Sequence, residues 1–164
     1  MRRLLIDGNH LCGRNWATLK DAMTTDGRHS GVVFGFTKSL MYIHKELSID
    51  YSEMIVFWDG GRSEYRKRLF PGYKSGRYSE NPTPQEQELH QAYIFQLNEL
   101  RQLVDHWGCR QTWAKGVEAD DLIGVYSRFL KTQGYHAIIF SGDHDMHQLA
   151  EECVSVFDPK HQSL

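Results

Sequence analysis

The sequence has no run of about 18 apolar residues, the minimum that a membrane-spanning helix needs, so no span is expected. The N-terminal MRRLLIDG carries two arginines but only a three-residue apolar stretch, too short for the core of a signal peptide. Cysteine is scarce. Cys12, Cys109 and Cys153 are far apart and odd in number, which excludes a disulfide scaffold and fits reduced thiols in a cytoplasmic setting. There is no internal repeat and no low-complexity segment. There is also no excess of positive charge: the formal net charge is −2, which as a bulk number speaks against a polyanionic partner.

What is present fits one globular domain over residues 1–164, with 40% hydrophobic and 24% charged residues. The charge is unevenly distributed. Seven carboxylates fall in four clusters: Asp7 in LLIDGNH, Asp59 in IVFWDGG, Glu118, Asp120 and Asp121 in GVEADDLIG, and Asp143 and Asp145 in IIFSGDHDMHQL. Setting these seven aside turns −2 into +5 for the rest. Residues 62–77 hold Arg62, Arg66, Lys67, Arg68, Lys74 and Arg77 against the single acid Glu64, a net +5. An acidic focus beside a basic stripe is the charge pattern of an enzyme acting on a polyanion.

The hydrophobic pattern places these clusters. Arg3–Ile6, Met54–Trp58, Cys109–Trp113, Tyr135–Phe140 and Val154–Phe157 are predicted strands. Gly31–Leu47 is a predicted helix, with Val33, Phe36, Leu40, Ile43 and Leu47 inward. A second predicted helix opens at the capping box Thr83-Pro84-Gln85-Glu86 and runs to about Trp107, ended by Gly108. Its apolar face is Leu89, Tyr93, Leu97, Leu100 and Val104. A third spans Glu118–Gln133, with Leu122, Tyr126, Phe129 and Leu130 inward, and a short one spans Asp145–Ala150. The stretch from Arg62 to Asn81 lacks a clean period and is expected to be a long loop or irregular helical excursion. Strands alternating with helices predict an α/β fold with a mostly parallel sheet. Such a sheet gathers strand carboxyl ends, and hence all seven acids, at one edge.

Taken singly, an Asp after a strand is a turn former or a helix cap. Four such clusters at one edge repel unless cations neutralise them, and hard oxygen ligands point to Mg²⁺ or Mn²⁺. Two divalent ions about 3.5–4 Å apart can supply the nucleophilic water and stabilise the leaving oxygen in phosphodiester hydrolysis. Glu118 and Asp121 are three apart and share a helix face, with Asp120 turned away, so the cluster could serve two ions or one ion and its waters. His144 and His147 have zinc-like spacing but no third His or Cys beside them. In the basic stripe, Lys and Arg interleave with Tyr65, Phe70, Tyr73 and Tyr78, a pattern suited to single-stranded nucleic acid.

Four stretches resemble the 5′ nuclease family, which comprises the 5′→3′ exonuclease domain of bacterial type I DNA polymerases, phage 5′ exonucleases and flap endonucleases. They are LLIDGNHL, VFWDGGRSEYRKRLFPGYKSGR, GVEADDLIG and SGDHDMHQL. The resemblance implies a Rossmann-like sheet (the PIN-like or resolvase-like domain) with an arch around 62–82. It puts Asp7, Asp59, Glu118, Asp120, Asp121, Asp143 and Asp145 on metal-binding positions. Lys74 and Arg77 fall on positions that contact the reacting phosphate, and Arg62, Arg66, Lys67 and Tyr73 join them in the substrate-binding element. The implied reaction is Mg²⁺-dependent hydrolysis of DNA near a free 5′ end, flap or junction, by a monomer in a bacterial or phage-infected cell. A related RNA-cutting nuclease and a non-catalytic nucleic-acid-binding module remain as alternatives. The family also carries a Gly-Asp-x-x-Asp-Asn element and a helix–three-turn–helix; neither occurs before Leu164. A longer chain, a partner such as a replication protein, or a reduced form would each account for this. Weaker binding of a second metal and lower duplex affinity are then expected.

Overall fold

The computed structural model describes residues 1–74 and 81–158. Five strands form one sheet: β1 (Arg2–Asp7), β2 (Met54–Phe57), β3 (Arg110–Thr112), β4 (His136–Phe140) and β5 (Val154–Phe157). Their order is β3-β2-β1-β4-β5, and every pairing is parallel. Five α-helices connect or flank them: α1 (Gly8–Leu19), α2 (Gly31–Leu47), α3 (Glu64–Leu69), α4 (Pro84–His106) and α5 (Ala119–Thr132).

The sheet is covered on both faces, which explains why its strands are continuously apolar rather than alternating. Leu4 and Ile6 of β1, Met54 and Val56 of β2, and Ile138 and Phe140 of β4 face one core with α1, α2 and α4. The intervening Leu5, Ile55, Phe57, Ala137 and Ile139 face a second core with Ala119, Ile123 and Leu130 of α5. α4 begins at the expected capping box: the Thr83 hydroxyl accepts from Glu86 N–H at 3.2 Å, and Glu86 accepts from Thr83 N–H at 2.7 Å. α2 lacks a side-chain cap at Ser30. Instead the buried Gln96 of α4 accepts from Val32 N–H at 2.9 Å, so an orphan helix-start donor is used to dock one helix on another.

Several sequence expectations need correction. α1 was not predicted. In α2 Val32 is buried, while Val33 only packs against the core edge. Phe129 was expected inward but is 51% exposed, and Ile123 fills the core in its place. The helical excursion offered as one reading of the stretch after Arg62 is met by α3, begun by Ser63, whose hydroxyl accepts from Arg66 N–H; residues 75–80 of that stretch lie outside the described residues. The turn after β4 is a 3₁₀ helix over His144–Leu149, one residue earlier than expected.

Candidate active site at the carboxyl edge of the sheet

β1, β2 and β4 run parallel and stop at the same level, so Asp7, Asp59 and Asp143 emerge at one edge. Backbone bonds bring in the fourth cluster. Gly60 N–H donates to Val117 O and Gly116 N–H to Gly60 O, both at 2.9 Å, zipping the loop after β2 to the loop before α5. A Cβ on Gly60 would lie 1.7 Å from Ala114 O, so only glycine permits this approach.

The acids are then held individually by backbone donors. Asp7 Oδ1 accepts from His10 N–H at 2.9 Å, capping α1. Asp59 Oδ1 accepts from Ala119 N–H at 2.8 Å. Asp120 Oδ1 accepts from Asp121 N–H at 2.7 Å, and Asp143 Oδ1 from Asp145 N–H at 3.0 Å. Asp143 is thus the cap of the last turn. For these four aspartates the second carboxylate oxygen makes no hydrogen bond among the described residues.

Asp7, Asp59, Glu118, Asp120 and Asp143 line one cleft of about 350 Å³, together with Asn9, His10 and Lys74. His90, Tyr93, Ile94 and Leu97 of α4 form its far wall. Asp120 also lines a neighbouring groove, with Asp121, Asp145, Arg66 and Tyr73. Arg62 and Lys67 line neither, and Lys67 pairs with Glu64 at 2.9 Å. Arg77 lies outside the described residues.

The gathering is electrostatically costly as it stands. Burial pushes the Asp7 carboxyl up to about 7, against the lowering effect of the His10 N–H; the charges of Asp59, Asp120 and Asp143 push the same way. Burial also raises Asp120, opposed by the Asp121 N–H and reinforced by the Asp121 charge. Glu118 goes the other way. Its burial would raise it, but hydrogen bonds from Lys74 and Tyr73 win and hold it below the ordinary carboxylate range.

A divalent cation suits this donor set: mutual repulsion to relieve, and aspartates lining one cleft that each keep an oxygen without a hydrogen bond among the described residues, that of Asp143 lying 4.0 Å from His10 Nδ1. Among the described residues no three His, Cys, Asp or Glu groups already converge as a preformed cage. The rings of His144 and His147 lie 5.6 Å apart, tilted by 37°.

Three contributors escaped the sequence reading. Asn9 Oδ1 accepts from Asp59 N–H at 2.9 Å, linking the loops after β1 and β2. Ser63 brings its backbone N–H to Glu118 Oε1 at 3.4 Å. The α4 wall shows in the sequence only as an apolar face. Asn9 had a signal, since it stands two residues after a strand-end Asp; the other two contacts span long separations in sequence.

Residues 2–164 match the family described as 5′-3′ exonuclease, N-terminal resolvase-like domain. The thermostable DNA polymerase I of Thermus aquaticus is 33% identical over 97% of this chain, which spans 18% of that protein. A 5′-3′ exonuclease of Buchnera aphidicola is 27% identical over 98% of this chain, which spans 53% of it. The T5 5′-exonuclease, in a structure with bound divalent zinc ions, shares the fold at a TM-score of 0.79 and 20% identity, over 99% of this chain and 57% of that one. The chain thus spans about a fifth to about a half of the proteins it matches, and throughout that span it belongs to the 5′-3′ exonuclease family as the N-terminal resolvase-like domain.

Proposed function

We propose that this domain hydrolyses DNA phosphodiesters near a free 5′ end, flap or junction, using Mg²⁺, with Mn²⁺ as a substitute. The observation that carries the reading is the set of four aspartates, from the ends of β1, β2 and β4 and the start of α5. Each lines the cleft and has one oxygen tied to a backbone N–H and a second without a hydrogen bond among the described residues; that of Asp143 lies 4.0 Å from His10 Nδ1. The related DNA polymerases and the 5′-3′ exonuclease support DNA as the substrate class.

Asp7, Asp59, Asp120 and Asp143 would hold the ion, which when bound supplies a nucleophilic water and neutralises the leaving oxygen. The chain's own groups do the rest. The backbone donors fix the carboxylates before substrate arrives, so little reorganisation is needed. Lys74 lines the same cleft and offers a point charge to a phosphate. Arg66 adds a second positive charge in the neighbouring groove, and Tyr73 a ring for a base. Arg62, Lys67 and Arg77 extend the basic track for the single strand.

The test is cleavage of a 5′-labelled flap DNA, and of its RNA-flap counterpart, in Mg²⁺, Mn²⁺ and EDTA beside Asp143→Ala. Metal-dependent DNA cleavage that vanishes in the variant is expected. Faster cleavage of the RNA flap would favour the RNA-cutting alternative. Cleavage that survives EDTA or the variant would sink the metal mechanism.

A further inference from the structure

Glu118 is unlike the other acids of the edge. It is only 3% exposed, and both of its oxygens are occupied. Oε2 accepts from Arg66 Nη1 at 2.9 Å, Tyr73 Oη at 2.9 Å and Lys74 Nζ at 2.8 Å. Oε1 accepts from Ser63 N–H at 3.4 Å. Asp121 is similarly engaged, with Arg66 donating to each of its oxygens at 2.8 Å. By contrast, Asp7, Asp59, Asp120 and Asp143 each keep one oxygen without such a bond.

On the other side of these contacts, the segment from Ser63 to Lys74 buries only Ser63. α3 has six residues, none of them buried, and Tyr65, Leu69 and Phe70 are exposed. A helix that buries no apolar face gains almost nothing from packing. Lys74 has a backbone φ of 56°, a left-handed conformation that a lysine adopts only when its contacts compensate. Its ammonium reaches Glu118 from that conformation. Among the described residues, the segment from Ser63 to Lys74 is therefore fastened to the domain through polar contacts, chiefly on Glu118 and Asp121.

We infer that Glu118 and Asp121 are positioning residues, not direct ligands of the cation: they hold Arg66, Tyr73 and Lys74 in place over the site. Lys74 then faces the first cleft and Arg66 the neighbouring groove, with Asp120 lining both. Two cations are presented to a bound phosphodiester, one on each side of the shared aspartate. The inference rests on the nuclease reading for its metal, but the positioning role does not depend on catalysis.

Two measurements on the full chain separate the possibilities. The first is Mn²⁺ binding alone, by calorimetry, in wild type, Asp143→Asn and the double variant Glu118→Gln/Lys74→Gln. The double variant removes one charge of each sign, so the net field at the cleft is preserved and its Kd stays within about twofold of wild type. Asp143→Asn weakens binding about tenfold or more. The second is limited trypsin digestion in EDTA, mapped to Arg66, Lys67, Arg68 and Lys74. Glu118→Gln speeds cleavage there about tenfold through loss of charge-assisted bonds, while Asp143→Asn digests like wild type. A double variant that loses Mn²⁺ as severely as Asp143→Asn would overturn the inference. So would a Glu118→Gln chain that digests at the wild-type rate. Wild type that binds no Mn²⁺ would overturn the nuclease reading, and digestion would still decide the positioning role.

Discussion

Asp59, at the end of β2, caps a helix to which it does not belong. Its Oδ1 accepts from Ala119 N–H at 2.8 Å, in the first turn of α5, whose own N-cap residue Glu118 makes no side-chain cap bond. Asp59 thus has two separable roles: one oxygen stabilises α5, and the residue also lines the cleft. Asp59→Ala should cost about 1 kcal/mol of stability, the typical loss of a helix-start acceptor. Asp59→Asn keeps an acceptor and should lose much less. Both should lose metal-dependent cleavage. Urea unfolding in EDTA beside a flap-cleavage assay checks this, and equal destabilisation by the two variants would show that the cap is not real.

Asp7 should set a pH dependence opposite to that of a salt-bridged aspartate. Its carboxyl is raised from 3.8 to about 7, chiefly by burial. The folded state therefore binds this proton more tightly than the unfolded state does. Its contribution is fully present below about pH 4 and is lost as pH rises through about 7. The rise corresponds to on the order of 4 kcal/mol. In EDTA, wild type should lose more stability between pH 5 and pH 8 than Asp7→Asn, which keeps the acceptor for His10 N–H. Parallel pH profiles for the two chains would refute the assignment.

Much of this was legible in the sequence because it rests on local pattern. The apolar strand runs, the Thr83 capping box and the helix over Gly31–Leu47 depend only on neighbours a few residues apart. The placement of acids after strands followed from the same runs. α1 was not legible: of its buried residues Gly8, Leu11, Cys12 and Asn15, only two are apolar side chains, too few for a helical period. Phe129 was misplaced because a helical apolar stripe does not say which of its edges meets the core. The division of the acids was beyond reach for a different reason. Arg66 and Glu118 are 52 residues apart, and Lys74 and Glu118 are 44 apart, so only the folded sheet edge reveals which carboxylates are already engaged.

Gly60 offers a test of how the edge is assembled. Its contact with Ala114 leaves no room for a Cβ. Gly60→Ala must push the loop after β2 away from the loop before α5. Overpacking of this kind costs about 1–3 kcal/mol. The displacement should also shift Asp59 relative to Asp120, so metal affinity should fall along with stability. Gly61→Ala is the useful comparison. Gly61 has open space around it but a φ of 110°, so its cost is purely conformational. Calorimetric Mn²⁺ titrations and urea melts of both variants separate the two effects: Gly61→Ala should lose stability while retaining more of its metal affinity.

Protons and divalent cations should compete for the cleft. At pH 5 Asp7 holds its proton, so an arriving ion must displace it; at pH 8 the carboxylate is already charged and repelled by Asp59, Asp120 and Asp143. Mg²⁺ affinity should therefore climb about tenfold per pH unit below 7 for the one proton displaced, then level off. Saturating Mg²⁺ at a hundred times Kd adds about 2.7 kcal/mol to the folded state. The stabilisation by a fixed Mg²⁺ concentration should accordingly be large at pH 8 and small at pH 5, and Asp7→Asn should flatten the difference. Thermal melts at the two pH values, with Mg²⁺ and with EDTA, give the answer directly. A Mg²⁺ effect of equal size at both would mean that Asp7 is not the group that the cation relieves.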